Sequence, residues 1–140
     1  MTLRSILLVL SLGLLASCVS DPHDRPVSMM LTNAGNEPLR CRLMYGHWVD
    51  RDLGVLAPGT ATELMITQAA SDGALYVMRA DGERKMMIES IQCAPSRDWM
   101  ETFGQVDFAP IRSRRAQAIE ASCAAPAAGG RTVCRLDRIN

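Results

Sequence analysis

Leu39-Arg40-Cys41-Arg42-Leu43-Met44-Tyr45 is the stretch that decides how this chain is read. Leu39, Cys41, Leu43 and Tyr45 fall at every second position, with Arg40 and Arg42 between them. Period two is the spacing of a β-strand with one face on a core and the other in water. The same alternation turns Cys41 inward.

Working outward, the chain breaks into short apolar segments cut by turn residues. Upstream, Val27 to Thr32 reads as a strand closed by Asn33-Ala34-Gly35-Asn36. Downstream, His47 to Leu53 either continues the decisive strand or begins the next. Ala57-Pro58-Gly59 marks a turn, Thr60 to Thr67 a strand, and Ser71-Asp72-Gly73 another turn. Ala74 to Arg79 and Arg84 to Cys93 are joined by Ala80-Asp81-Gly82-Glu83, and Asp-Gly between apolar runs signals a hairpin. Ser96 to Phe103 reads as a short helical turn, with Ser96 as cap and Asp98 near its start. Residues 104–111 read as loop. Gln117 to Cys123 and Arg131 to Ile139 form a last hairpin, although Ala116 to Ala121 has a composition that also suits helix. About seven short strands at spacings of roughly 8–12 residues predict a mostly β domain, a small antiparallel β-sandwich or barrel.

Cysteine usage agrees with an exported domain. Besides Cys18 there are four, Cys41, Cys93, Cys123 and Cys134, and an even number outside the cytosol reads as a disulfide framework. Of the three possible pairings, Cys41–Cys93 and Cys123–Cys134 are favoured. The second pair brackets a ten-residue loop with turn residues at its centre, as a bridged hairpin would. No CxxC spacing or adjacent histidine points to a metal instead.

The amino terminus has its own pattern. Arg4 precedes Ile6 to Leu15, an apolar run broken only by Ser11 and Gly13, and Leu15-Ala16-Ser17-Cys18 follows. This is the layout of a secretory signal peptide, and Leu-Ala-Ser-Cys resembles the lipobox of bacterial lipoproteins. The apolar run is about half the roughly twenty residues a spanning helix needs. The resemblance implies cleavage before Cys18, a diacylglyceryl thioether on its sulfur and an acylated amine. Val19 and Ser20 follow, with no Asp directly behind the cysteine. In that family the pattern implies the periplasmic face of the outer membrane rather than the inner. The expected organisation is a signal peptide over 1–17, lipidated cysteine and tether over 18–26, and one β domain over 27–140. Fully extended, residues 19–26 reach at most about 25–30 Å, so the domain sits close to the bilayer. Leu31-Thr32-Asn33-Ala34-Gly35-Asn36-Glu37-Pro38-Leu39 and Leu56-Ala57-Pro58-Gly59 resemble openings of bacterial immunoglobulin-like domains. That likeness implies the immunoglobulin form of the sandwich, although Trp48 follows Cys41 by only seven residues.

Motifs for catalysis are absent from the sequence: no Gly-x-Ser-x-Gly, His-Glu-x-x-His, Gly-rich phosphate loop or Ser-x-x-Lys. His23 and His47 are the only histidines, and a hydrolase would have to rest on His47 with Asp50 or Asp52. No enzyme activity and no cofactor are expected. Without residues 1–17 the chain holds 14 basic and 15 acidic residues, which gives no case for nucleic acid. The charge is uneven, with a net of −5 over residues 18–111 and +4 over 112–140.

Three groups of residues remain as candidates. Tyr45, His47, Trp48, Asp50 and Arg51 gather aromatic and polar groups suited to a sugar or peptide contact. The plainer reading makes Trp48 a lid on the core and Asp50 and Arg51 a solvated turn. Arg112, Arg114 and Arg115, with Arg131, Arg135 and Arg138, suit anionic lipid phosphates; their plainer reading is a solvated edge. In Met29-Met30 and Met86-Met87, alternation puts one methionine of each pair outward, where thioethers suit Cu(I). The expected function is a membrane-anchored, non-catalytic interaction or accessory module with an envelope protein partner. The alternative is a carrier of a small ligand, lipid or copper.

Overall fold

The computed structural model describes residues 24–46, 49–78, 85–95 and 99–140. The expected lipidation site Cys18, the expected hairpin link at residues 80–83, and Ser96 and Asp98 lie outside the described residues. Among the described residues, nine strands and two single-turn helices follow one another: β1 (Arg25–Asn33), β2 (Leu39–Tyr45), β3 (Val49–Leu56), β4 (Ala61–Gln68), β5 (Leu75–Met78), β6 (Lys85–Ala94), α1 (Trp99–Thr102), β7 (Gly104–Val106), α2 (Ala109–Arg112), β8 (Ala118–Ala124) and β9 (Val133–Ile139). The chain is mostly β, as the alternating segments predict. Among the described residues no helix is long and apolar enough to cross a membrane.

The strands join in one continuous sheet, ordered β3-β2-β6-β5-β4-β1-β8-β9, which fits the expected mostly β class, a sandwich or barrel, without the two separate sheets of a sandwich. The long strand β6 makes this possible. Its residues 85–87 pair with β5, while its later residues pair with β2 on one side and β7 on the other. All pairings are antiparallel except that of β1 with β8, which runs parallel from Ser28 opposite Ala118 to Asn33 opposite Cys123.

Alternation is obeyed closely in β2, where Leu39, Cys41 and Leu43 are fully buried. Val27, Met29 and Leu31 of β1, Ile91 of β6, Val106 of β7 and Ile119 of β8 complete the same core. Each buried side chain of this size contributes about 1.5–3 kcal/mol relative to exposure. Both disulfides form with the expected partners. Cys41 stands directly opposite Cys93 on β2 and β6, and Cys123 opposite Cys134 on β8 and β9. The sulfurs of Cys93, Cys123 and Cys134 lie within 4.8 Å of one another. The sheet therefore curls until its β2–β6 region meets its β8–β9 end. The Thr132 amide closes the contact by donating to the Thr102 carbonyl at 2.7 Å.

Several expected boundaries move. The first strand begins at Arg25, inside the predicted tether, because Arg25 and Pro26 pair with Gln68 and Thr67. The predicted loop 104–111 holds β7 and α2. β7 has only three residues, too few to display a period, and pairing with β6 holds it. Residues 118–124 form a strand despite their alanines, since β1 and β9 flank them on both sides and outweigh helix propensity.

Candidate functional site

A concavity of about 740 Å³ lies between the β4–β5 turn and the segment after α2. Arg25, Arg112, Arg114 and Arg115 line it with Asp72, and Ala69, Ala70, Ser71 and Ser113 supply small walls. Its floor is built around Gln68, a buried side chain at the end of β4. The Gln68 Nε2 donates to the carbonyls of Arg114 at 2.8 Å and of Gly73 and Ile111 at 3.3 Å. Its Oε1 accepts from the Ala116 amide at 2.9 Å. One amide thus ties the turn and the arginine segment to the sheet. Gly73 completes the join, with φ at 70° and the Arg112 carbonyl so near that an added Cβ would lie 2.2 Å from its oxygen. Only glycine fits that approach.

Replacing Gln68 with leucine leaves these buried backbone groups without their partner. The expected loss is at least about 2 kcal/mol, since a single unsatisfied buried group costs roughly 1–3 kcal/mol. The urea unfolding midpoint of the variant measures it; an unchanged midpoint would mean the segment is held by something else.

Among the described residues elsewhere on the domain, every cation except Arg51 is partnered. Arg42 meets Asp50 at 3.3 Å and lies over the Trp99 ring, 4.5 Å from its centroid. Arg40 pairs with Asp52, Arg135 with Asp137 and Arg138 with Glu120, and Arg131 lies over the Phe103 ring. Lys85 holds Asp24, just before β1. That hydrogen bond, with one from the Ala70 amide, keeps the Asp24 carboxyl below the usual carboxylate range. Arg40 and the Gly54 amide do the same for Asp52. Among the described residues, Arg25, Arg112, Arg114 and Arg115 form no ion pair with one another's neighbours or with any carboxylate.

The sequence candidates divide accordingly. Arg112, Arg114 and Arg115 line one concavity, and Arg25, assigned above to the tether, lines it with them. Arg131, Arg135 and Arg138 do not line the concavity and engage Phe103, Asp137 and Glu120 instead. Tyr45, Asp50 and Arg51 lie on β2 and β3, away from the bowl, with Tyr45 opposite Val49 and Asp50 opposite Met44. Asp50 is taken up by Arg42. His47 and Trp48, between these strands, lie outside the described residues. The methionine pairs divide as alternation requires: Met29 is fully buried and Met30 exposed, while Met87 is more exposed than Met86. Each cysteine sulfur in the three-sulfur cluster is already bonded to a partner sulfur, which removes the thiolate a metal would bind.

No family model matches this chain, nor does any curated protein or solved structure.

Proposed function

We propose that the chain is a non-catalytic interaction module, held by an acylated Cys18 at the periplasmic face of the outer membrane, that docks an envelope protein against the outer face of its sheet. The observation that carries the docking reading is a methionine row. Four neighbouring strands, β6, β5, β4 and β1, each present one exposed methionine on the face away from the core: Met87 at 39%, Met78 at 48%, Met65 at 65% and Met30 at 38% accessible. Exposed apolar patches of this kind mark interaction surfaces, and the flexible thioether adapts to a partner's contour. Glu63 opposite Met30 and Lys85 opposite Met78 supply a charged rim.

A photo-crosslinking residue placed at Met65 in membranes tests this, read by mass spectrometry. The expected result is one dominant protein adduct at near-equal stoichiometry, lost when Met30 and Met78 become glutamate. The same residue at Arg51, on β3, gives no such adduct. Equal, diffuse labelling from both positions would contradict the docking reading. The alternative of a copper carrier draws on the same four thioethers. Competition with a chromophoric Cu(I) chelator separates the two, and a docking module leaves the chelator loaded.

A further inference from the structure

The arginine bowl has a composition unlike the rest of the surface. Apart from Arg51, every other described arginine is engaged by a carboxylate or an aromatic ring. Of the five without such a partner, four, Arg25, Arg112, Arg114 and Arg115, line one concavity with a single carboxylate, Asp72. Asp72 itself is turned into its own loop, accepting from the Ala74 amide at 2.9 Å. A surplus of guanidinium groups around a polar hollow is a site for an anion, and the planar fork of donors matches phosphate oxygens in particular. The walls are short, Ala69, Ala70, Ser71 and Ser113, so about 740 Å³ stays open, within the range of pockets that hold small ligands. The backbone that carries the arginines is already fixed by Gln68 and Gly73, so less ordering is needed on binding.

The position of the bowl supplies the identity of the anion. Arg25 lines it and is also the first residue of β1. Only seven residue steps separate Arg25 from Cys18. At 3.3–3.6 Å per residue, a lipid on Cys18 holds Arg25 within about 25 Å of the bilayer surface. We propose that the bowl is a phosphate-binding site that takes the headgroup of an anionic lipid in the membrane that anchors the chain. This rests on the Cys18 anchor proposed above and is independent of the methionine face.

The test uses the whole processed chain, purified from membranes into neutral detergent micelles. Backbone amide resonances of residues 69–73 and 112–116 are followed as phosphatidylglycerol, phosphatidylcholine or inorganic phosphate is added. Phosphatidylglycerol is expected to give saturable shifts confined to these residues and weakened by salt. Phosphatidylcholine gives none, and inorganic phosphate binds at least tenfold more weakly. Each of Arg112→Gln and Arg114→Gln lowers the phosphatidylglycerol affinity about fivefold, whereas Arg135→Gln with Arg138→Gln leaves it unchanged. Absence of the shifts overturns the site. Equal affinity for inorganic phosphate overturns the lipid as its source. Equal loss from the Arg135 and Arg138 changes reduces it to general charge attraction and also overturns it. The mass of the amino-terminal peptide from the same sample separates the anchor from the bowl: an unmodified Cys18 in a chain that still binds overturns the anchor alone.

Discussion

Replacing Cys41 and Cys93 together with alanine is expected to lower the unfolding free energy by about 4 kcal/mol. The bridge closes a span of 52 residues, and the chain-entropy relation assigns about 4 kcal/mol to a loop of that length. Cys123–Cys134 spans only 11 residues, for which the same relation gives about 3 kcal/mol. Removing the Cys41–Cys93 pair also empties space among fully buried neighbours, since both residues are completely inaccessible, and the resulting cavity adds to the loss. For a domain whose whole stability is about 5–15 kcal/mol, this is a large share. Guanidinium denaturation of the two double variants checks the order. A larger loss from the Cys123 and Cys134 pair would contradict the topology, because it would place the longer loop's constraint elsewhere.

Gly104→Ala is expected to be comparably damaging for a different reason. Gly104 pairs with Cys93 in β7 and faces the segment leading into β9. An added Cβ would lie 1.9 Å from the Thr132 carbonyl oxygen and 2.7 Å from its carbon. Both obstacles are backbone, so no rotamer relieves the clash. β7 or residue 132 must shift, and the hydrogen bond from Thr132 to Thr102 is strained or broken. The expected cost is at least about 3 kcal/mol, the upper part of the range for overpacking. The loss should centre on the contact between the two ends of the sheet. Hydrogen exchange therefore rises first at Thr132 and along β9, while β1 and β4 stay protected. A stable variant with unchanged exchange would mean that this close approach is not part of the folded state.

The parts of the fold that were legible in the sequence are those set by local alternation. Leu39 to Tyr45 announced β2 because each residue's side is fixed by its neighbours, and Cys41 inherited its inward direction from that pattern. The Cys123–Cys134 hairpin was legible because its loop carries its own turn residues. The parallel pairing of β1 with β8 was not, since nothing in Val27 to Thr32 encodes which distant strand lies alongside. β7 escaped for want of length. Three of the bowl's four arginines were legible as a cluster, because Arg112, Arg114 and Arg115 are neighbours in the chain. Arg25 was hidden by distance, and its assignment to the tether followed from Pro22 and Pro26 on either side. Gln68 gave no signal at all: a glutamine ending a strand looks solvated until its four backbone partners, drawn from two other segments, are brought around it.

Both the docking surface and the arginine bowl act at a membrane only if the chain is held there by Cys18. The mass of the amino-terminal peptide, taken from the protein isolated from its native membranes, tests this directly. The expected peptide begins at Cys18 and carries a diacylglyceryl group with an acylated amine. A peptide that begins elsewhere, or an unmodified Cys18, would contradict it.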